Sequence, residues 1–361
     1  MGNRVTAFEP SLSVDDLEHV LANTRDVWEP LRGRRLFITG GTGFFGKWLV
    51  ESFLWANAKL GLAAEATLLV RDPAAFLVRM PHLAGQSPLV LHMGSMESFT
   101  FPAGRFAAVI HAATASYAPV ADFDPLAAFD RDVQGTRRVL DFAVHCRAQR
   151  LLFTSSGAVY GRQPAEMSHI SEDYSGCPHT LDGNSGYAQA KRISEILCTL
   201  YGRAHGVEAT IARCFAFVGP YLPLDSTFAV GNFLRDALAG GPIRIQGDGT
   251  PYRSYLYAAD LAVWLWTLLF RGAPSRAYNV GSDAPVTIAE LAREVADALD
   301  PTIEIRVAQT PDPRRPALRY VPATNLAREE LRLGVKIGLR EALKRTAAWE
   351  QNRLRCAVRS S

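Results

Sequence analysis

Tyr187 and Lys191 stand four residues apart in "SGYAQAKRISEIL", a run with helical spacing. That spacing brings a phenol and an ammonium onto one helix face, within reach of a shared ligand. A phenol with an ordinary pKa of about 10 is a poor base at neutral pH, but a neighbouring cation favours its phenolate. Upstream, "FTSSGAVYG" closes a β-rich apolar run with Thr154, Ser155 and Ser156, at the carboxyl edge of a strand, where open α/β sheets bind ligands. Phenolate, ammonium and hydroxyl together suit removal of a hydroxyl proton while hydride leaves the same carbon. Singly, each piece is commonplace: Tyr-x-x-x-Lys is usually an ordinary surface pair, and serines at a strand end usually make a turn or cap. Their meaning depends on a third piece.

That piece is "LFITGGTGFFGKWLVESFL", residues 36–54. Leu36 to Thr39 reads as a short buried strand and Lys47 to Leu54 as a helix. Between them Gly40, Gly41, Gly43 and Gly46 remove Cβ atoms where the chain bends tightly and a guest approaches the backbone. A strand, a glycine turn and a helix N-terminus make an anion site, because unpaired N–H groups and the helix dipole point at whatever sits there. The guest that fits is a dinucleotide pyrophosphate. A glycine fingerprint, strand-end serines and Tyr-x-x-x-Lys about thirty residues further on form a far more specific arrangement than any one of them.

The elements that must position these residues alternate along the chain. Residues 11–31 have helical spacing. Strands are predicted at 36–39, 66–70, 107–112, 150–154 and 208–212, with helices at 46–58, 126–147 and 187–204; a basic, proline-punctuated segment follows the second strand, and a Gly-, Pro- and Ser-rich loop spans 157–186. Such alternation implies an α/β fold, a Rossmann doubly wound parallel sheet. After residue 216 the pattern loosens, with helices near 228–239, 258–270, 287–299 and 339–350. The expected organisation is a helical extension (1–34), a dinucleotide-binding domain (35–215) and a smaller C-terminal α/β substrate lobe (216–361) with segments that return to the first domain.

Composition narrows the partners. The 361 residues are 48% hydrophobic and 21% charged, as in an ordinary globular protein, and the net charge of +3 is spread along the chain, so no nucleic-acid footprint is expected. Five scattered cysteines without a C-x-x-C pair suit reduced thiols in a cytoplasm, and no metal site is expected. Glu9, Asp15, Asp16 and Glu18 stand where a secretory signal would be basic. "YLYAADLAVWLWTLLF" (255–270) is too short for a membrane span and carries Asp260, so it reads as a buried helix.

With these motifs the chain resembles the extended short-chain dehydrogenase/reductases, specifically the NAD-dependent epimerase/dehydratase family acting on nucleotide sugars, over about residues 35–350. The marks are "TGGTGFFG" (39–46), "VIHAA" (109–113), "GTRRVL" (135–140), "FTSSGAVYG" (153–161), "YAQAKRISE" (187–195), "RCFAFVGP" (213–220), "GDGTPYRSYLYAADLA" (247–262) and "YNVGS" (278–282). The resemblance implies an NAD(P) cofactor, with contacts from Gly40, Gly43, Phe44, Phe45, Gly46, Arg71, Asp72, His111, Ala112, Ala113 and Lys191. Ser156, four residues before Tyr160, corresponds to the family's catalytic Ser/Thr, Tyr187 to its base, and Lys191 to the lysine that orients the cofactor ribose and lowers the tyrosine pKa. Arg253 resembles the arginine that binds the nucleotide diphosphate, a role suited to a bidentate guanidinium, with Arg314 or Arg315 as a second phosphate contact. The implied partners are a nucleotide-diphosphate sugar and a second copy of the chain, since family members often dimerise through a four-helix bundle that includes the Tyr-x-x-x-Lys helix.

Departures from the family pattern sharpen the expectation. Sugar dehydratases usually follow the Ser/Thr with an Asp-Glu pair; this chain has Gly157-Ala158, and the sugar decarboxylases' glutamate is missing too. Small residues there suit a C4 epimerase or a 4-keto reductase, whose central step needs only Ser156, Tyr187 and the nicotinamide. The alternatives are a 4,6-dehydratase with a relocated carboxylate, such as Glu166 or Glu172, and a non-catalytic dinucleotide sensor, which would have no need of a base. Ala216 replaces an Asn that often contacts the substrate, and Asp132 an Asn that usually precedes the "GT" segment. Finally, "ATLLVRDP" ends in Arg71-Asp72. Arg71 facing a 2′-phosphate means NADP(H), the reading favoured here; Asp72 on the ribose means NAD.

Overall fold

The computed structural model describes residues 11–115 and 124–360, with side chains to residue 355. Ser13 starts α1 (Val14–Thr24) by accepting from the Asp16 N–H, and the helix is shorter than the expected 11–31 because the chain turns through a 3-10 segment at Glu29–Leu31. Then come β1 (Arg35–Thr39), α2 (Phe44–Leu60), β2 (Glu65–Val70), α3 (Pro73–Arg79), β3 (Leu89–Met93) and β4 (Ala108–His111), followed by α4 (Pro125–His145), β5 (Arg150–Ser156), α5 (Gly186–His205) and β6 (Glu208–Cys214). Gly206, at φ 72°, closes α5 in the left-handed conformation that glycine adopts without penalty.

One seven-stranded sheet has the order β3-β2-β1-β4-β5-β6 and then the strand Arg276–Val280. The pairs β1–β2, β1–β4, β2–β3 and β4–β5 are parallel. Strand order reverses between β1 and β4, so the carboxyl ends of these two strands open the crevice that doubly wound sheets use for ligands. Thr39 is in register with Leu69 on one side and with His111 on the other. The glycine turn, Arg71 and Ala112 therefore emerge at one edge.

Sequence reasoning passed over β3 and α3 in the proline-punctuated segment. β3 is the edge strand of the sheet, and Val90 and Met93 are exposed although "LVLHM" is apolar at four of its five positions. β5 continues two residues beyond the expected 154, through the serines.

Contacts divide the chain into two units: Met1–Val159 with Pro178–Arg213 and Ala262–Ala277, and Tyr160–Cys177 with Cys214–Leu261 and Tyr278–Ser361. In the first, Phe37, Val109, Leu151 and Phe153 of the sheet meet Val139 and Phe142 of α4 and Cys198 of α5 in one core, with the Phe37 and Phe142 rings 4.5 Å apart. The extension joins this unit through Trp28, whose ring lies 4.5 Å from that of Trp266; the Trp266 indole donates to Ser52 Oγ of α2.

The later elements are α6 (Ala229–Leu238), α7 (Ala258–Arg271), α8 (Ile288–Leu299), α9 (Asn325–Leu331) and α10 (Leu339–Ser360). α7 buries Leu261, Trp264, Leu265, Trp266 and Leu268, the buried helix expected for 258–270. Among the described residues no helix is long and apolar enough to cross a membrane. In the second unit the strand Tyr252–Arg253 pairs in parallel with Arg319–Tyr320 and antiparallel with Val286–Thr287.

Candidate active site

The glycines of the first turn have different reasons to be glycine. A Cβ on Gly40, at φ 76°, would lie 2.5 Å from the Ala112 carbonyl carbon, and one on Gly46 would lie 2.1 Å from the Gly40 oxygen. Both are required by the chain's own packing, of the turn against the end of β4 at Gly40 and of α2 against the turn at Gly46. A Cβ on Gly43 would meet only the Gly40 oxygen, at 3.4 Å. Gly43 is also the N-cap of the 17-residue α2 and supplies no side-chain cap bond. The first turn of α2, with Phe44 and Phe45 half-buried, thus has an N-terminus without a side-chain cap beside an open glycine. This is a cradle that fits a phosphate group.

Ala112 and Ala113 are held at the end of β4, where their N–H groups donate to the Thr39 carbonyl and to Thr39 Oγ1. The His111 side chain lies deeper, 2% exposed. Its Nδ1 is 2.8 Å from Thr39 Oγ1 and its Nε2 3.1 Å from Thr136 Oγ1, and Thr136 Oγ1 is 3.0 Å from Ser194 Oγ of α5. Burial, and secondarily the Lys191 charge, push His111 down to about 3, so the ring is neutral. It ties β1, β4, α4 and α5 together by hydrogen bonds.

At the end of β2, Arg71 is exposed and directly follows Val70. Asp72 is the N-cap of α3, where its Oδ1 accepts from the Ala75 N–H at 2.9 Å. The acid serves its own helix.

Ser156 and Lys191 are buried, at 8% and 3% exposure, while Tyr187 is half-buried. Lys191 Nζ donates to the Thr154 carbonyl at 3.0 Å and lies 4.9 Å from the Phe153 ring centroid and 5.8 Å from that of Tyr187. The ammonium thus fastens the start of α5, which carries Tyr187, to the end of β5, whose last residue is Ser156. Ser156 Oγ accepts from the Ala158 N–H. Two carboxylates of this unit, Asp132 and Glu195, are engaged by protein partners. Asp132 accepts from the Ala115 N–H at 2.7 Å and from Thr114 Oγ1 at 3.0 Å; Glu195 accepts from Ser155 Oγ and pairs with Arg213.

In the second unit, Arg253 donates to the Tyr252 carbonyl, and its guanidinium lies 5.9 Å from the Tyr320 ring centroid. The Tyr320 and Phe215 ring centroids are 4.7 Å apart, with the planes tilted by 36°. Arg314 and Arg315 are 88% and 87% exposed and pair with Asp312 on an outer turn. Glu172 accepts from the Asn279 N–H at 2.7 Å, and Glu166 is exposed. Sequence reasoning missed Tyr320, the Thr39–His111–Thr136–Ser194 chain and the Ser155–Glu195–Arg213 cluster. The only sequence signal for the last was a glutamate one helical turn after Lys191.

A model described as "NAD dependent epimerase/dehydratase family" matches residues 36–281. UDP-glucuronic acid decarboxylase 1 of Arabidopsis thaliana is 30% identical over 330 residues, which cover 89% of this chain and 70% of the relative. The structure of UDP-glucose 4-epimerase from Thermotoga maritima superposes with a TM-score of 0.72 at 19% identity, covering 89% of this chain and 99% of that one. A dTDP-glucose 4,6-dehydratase from Streptomyces venezuelae gives 0.72 at 24% identity over 88% and 97% of the two chains. At these identities the structural likeness is one of fold.

Proposed function

We propose, from the premise that the chain belongs to the NAD dependent epimerase/dehydratase family, that it oxidises or reduces C4 of a nucleotide-diphosphate hexose through a 4-keto sugar. The observation that carries this reading is the stretch after Ser156. Gly157 and Ala158 supply no carboxylate, while Asp132 and Glu195 are committed to protein partners. Elimination of water needs an acid and a base beyond the redox set; C4 redox chemistry does not.

In this reading Tyr187 takes the 4-OH proton, Ser156 Oγ hydrogen-bonds the same oxygen, and the Lys191 ammonium favours the phenolate. Gly40, Gly43 and Gly46 with the N-terminus of α2 hold the dinucleotide phosphates, and Lys191 its ribose. A bound nicotinamide would supply the hydride acceptor or donor for C4. Capping by Asp72, which leaves Arg71 at the strand exit, supports a 2′-phosphate and hence NADP(H). Arg253 binds the diphosphate of the sugar nucleotide, with Arg315 as a second phosphate contact. Ile193, Ile196 and Leu200, exposed on α5, support a homodimer through that helix, and Cys146, Cys177, Cys198 and Cys214, none of them in a disulfide, support a cytoplasmic setting.

The test is incubation with UDP-glucose, UDP-N-acetylglucosamine, UDP-glucuronate and dTDP-4-keto-6-deoxyglucose in D₂O, with and without NADPH, followed by NMR. Epimerisation at C4 without solvent deuterium in the sugar, or NADPH-dependent reduction of the keto sugar, is expected. Deuterium at C5 or C6, or carbon dioxide released from UDP-glucuronate, would replace this reading with dehydration or decarboxylation.

A further inference from the structure

The geometry points to Glu195, acting through Ser155, as a positioning residue that sets Ser156 against Tyr187. The inference rests on the catalytic reading of those two residues. Between them the chain leaves for residues 157–186, of which 160–177 belong to the other unit, so no short connection fixes their separation. The fixing is done instead by two adjacent turns of α5 acting on two adjacent residues of β5. Lys191 Nζ donates to the Thr154 carbonyl at 3.0 Å, and one turn further Glu195 Oε1 accepts from Ser155 Oγ at 2.5 Å. The next residue of the strand is Ser156, and the turn of the helix before Lys191 carries Tyr187.

Glu195 is itself immobilised. Arg213 of β6 donates through Nε to Oε1 at 3.1 Å and through Nη2 to Oε2 at 2.8 Å, and the two side chains are only 12% and 17% exposed. A buried ion pair stabilises a fold no better than apolar packing of the same volume. What it supplies here is direction: a carboxylate oxygen held at a fixed point, on which the otherwise ordinary hydroxyl of Ser155, 3% exposed, pins the strand end. Two groups that must meet one sugar oxygen tolerate little displacement, since about 1 Å can cost on the order of a hundredfold in rate.

Ser155→Ala tests this, because it removes the strand's tie and leaves the Glu195–Arg213 pair in place. The first readout needs no turnover. Amide hydrogen exchange is expected to quicken about tenfold at residues 154–158 and 187–191 while the rest of the sheet keeps its protection. In the second, the C4 reaction on the sugar nucleotide that the NMR assay shows to be turned over is expected to lose about tenfold in kcat with KM within twofold, and Ser155→Thr, which restores the hydroxyl, is expected to recover both readouts. Unchanged local exchange in Ser155→Ala would overturn the proposal, as would faster exchange throughout the sheet that Ser155→Thr does not correct. Tyr187→Phe in the same assay separates the two levels. Full activity there would remove the catalytic reading itself, whereas an inactive Tyr187→Phe beside a fully active Ser155→Ala would remove only the positioning role.

Discussion

Glu51 in the middle of α2 and Lys191 on α5 are both withdrawn from solvent, at 0% and 3% exposure, yet their surroundings differ in kind. Glu51 Oε2 accepts from the main-chain N–H groups of Ser11 and Leu12 at 2.8 and 3.0 Å, and Oε1 lies 3.2 Å from His82 Nε2. It clasps three stretches of chain, one of which precedes the 36–281 family match. Lys191 is fastened to a strand carbonyl, but its charge also stands beside the ring of a half-buried tyrosine. Burying a charge is costly in either place. The two differ in what they face: main-chain N–H groups for Glu51, a phenol ring for Lys191.

The largest expected effect separates the two regions most cleanly. Tyr187→Phe should lower turnover by about a thousandfold, in the range for loss of a general base, with dinucleotide affinity and unfolding free energy nearly unchanged. Steady-state rates, a dinucleotide titration and a urea melt check all three together. A variant that keeps its rate would place Tyr187 with Glu51, among residues that only hold the fold.

Glu51→Leu should show the reverse. Two main-chain N–H groups and the His82 ring lose their acceptor, so stability should fall by roughly 3 kcal/mol, while activity per folded molecule at low temperature stays at the wild-type level. Urea unfolding at neutral pH measures the first, and a rate normalised to active-site concentration the second. Lost rate without lost stability would break the comparison, because it would make the clasp part of the catalytic apparatus.

How far these regions were legible in the sequence follows from the same contrast. The glycine turn, the strand-end serines and the Tyr-x-x-x-Lys pair are local patterns, so periodicity and spacing place them on β1, β5 and α5 within a residue or two. Glu51 carries no such pattern: its partners Ser11, Leu12 and His82 are far off in sequence, and a charged residue in a helix ordinarily reads as solvent-facing. Edge strand β3 was missed although "LVLHM" is apolar at four of its five positions, because it lies in a segment that its prolines mark as irregular. The cap made by Asp72 could not be read from "VRDP", because the same acid suits a ribose or a helix cap; the bond from the Ala75 N–H shows the cap. His111 sits in "VIHAA" as a cofactor contact by resemblance, whereas its ring is spent on hydrogen bonds to Thr39 and Thr136.

His111 provides the smallest and finest test, since it stands close enough to Lys191 to feel its charge and yet is enclosed like Glu51. Its folded-state pKa of about 3, lowered first by burial and then by Lys191, lies below the unfolded value of about 6.5. Above pH 6.5 the ring is neutral in both states, and its contribution to stability is fully present. As pH falls below 6.5 the unfolded chain takes up a proton that the folded chain refuses, so stability is lost by about 1.4 kcal/mol per unit until the folded ring itself titrates near pH 3. The difference in unfolding free energy between the wild type and His111→Asn should therefore shrink by roughly 2 kcal/mol between pH 7 and pH 5. Urea melts of both proteins at the two pH values give that difference directly, with the other titrating groups cancelling. A pH-independent difference would mean that the ring accepts a proton in the folded state, and the corner occupied by Lys191 would then be open to solvent where Glu51 is sealed.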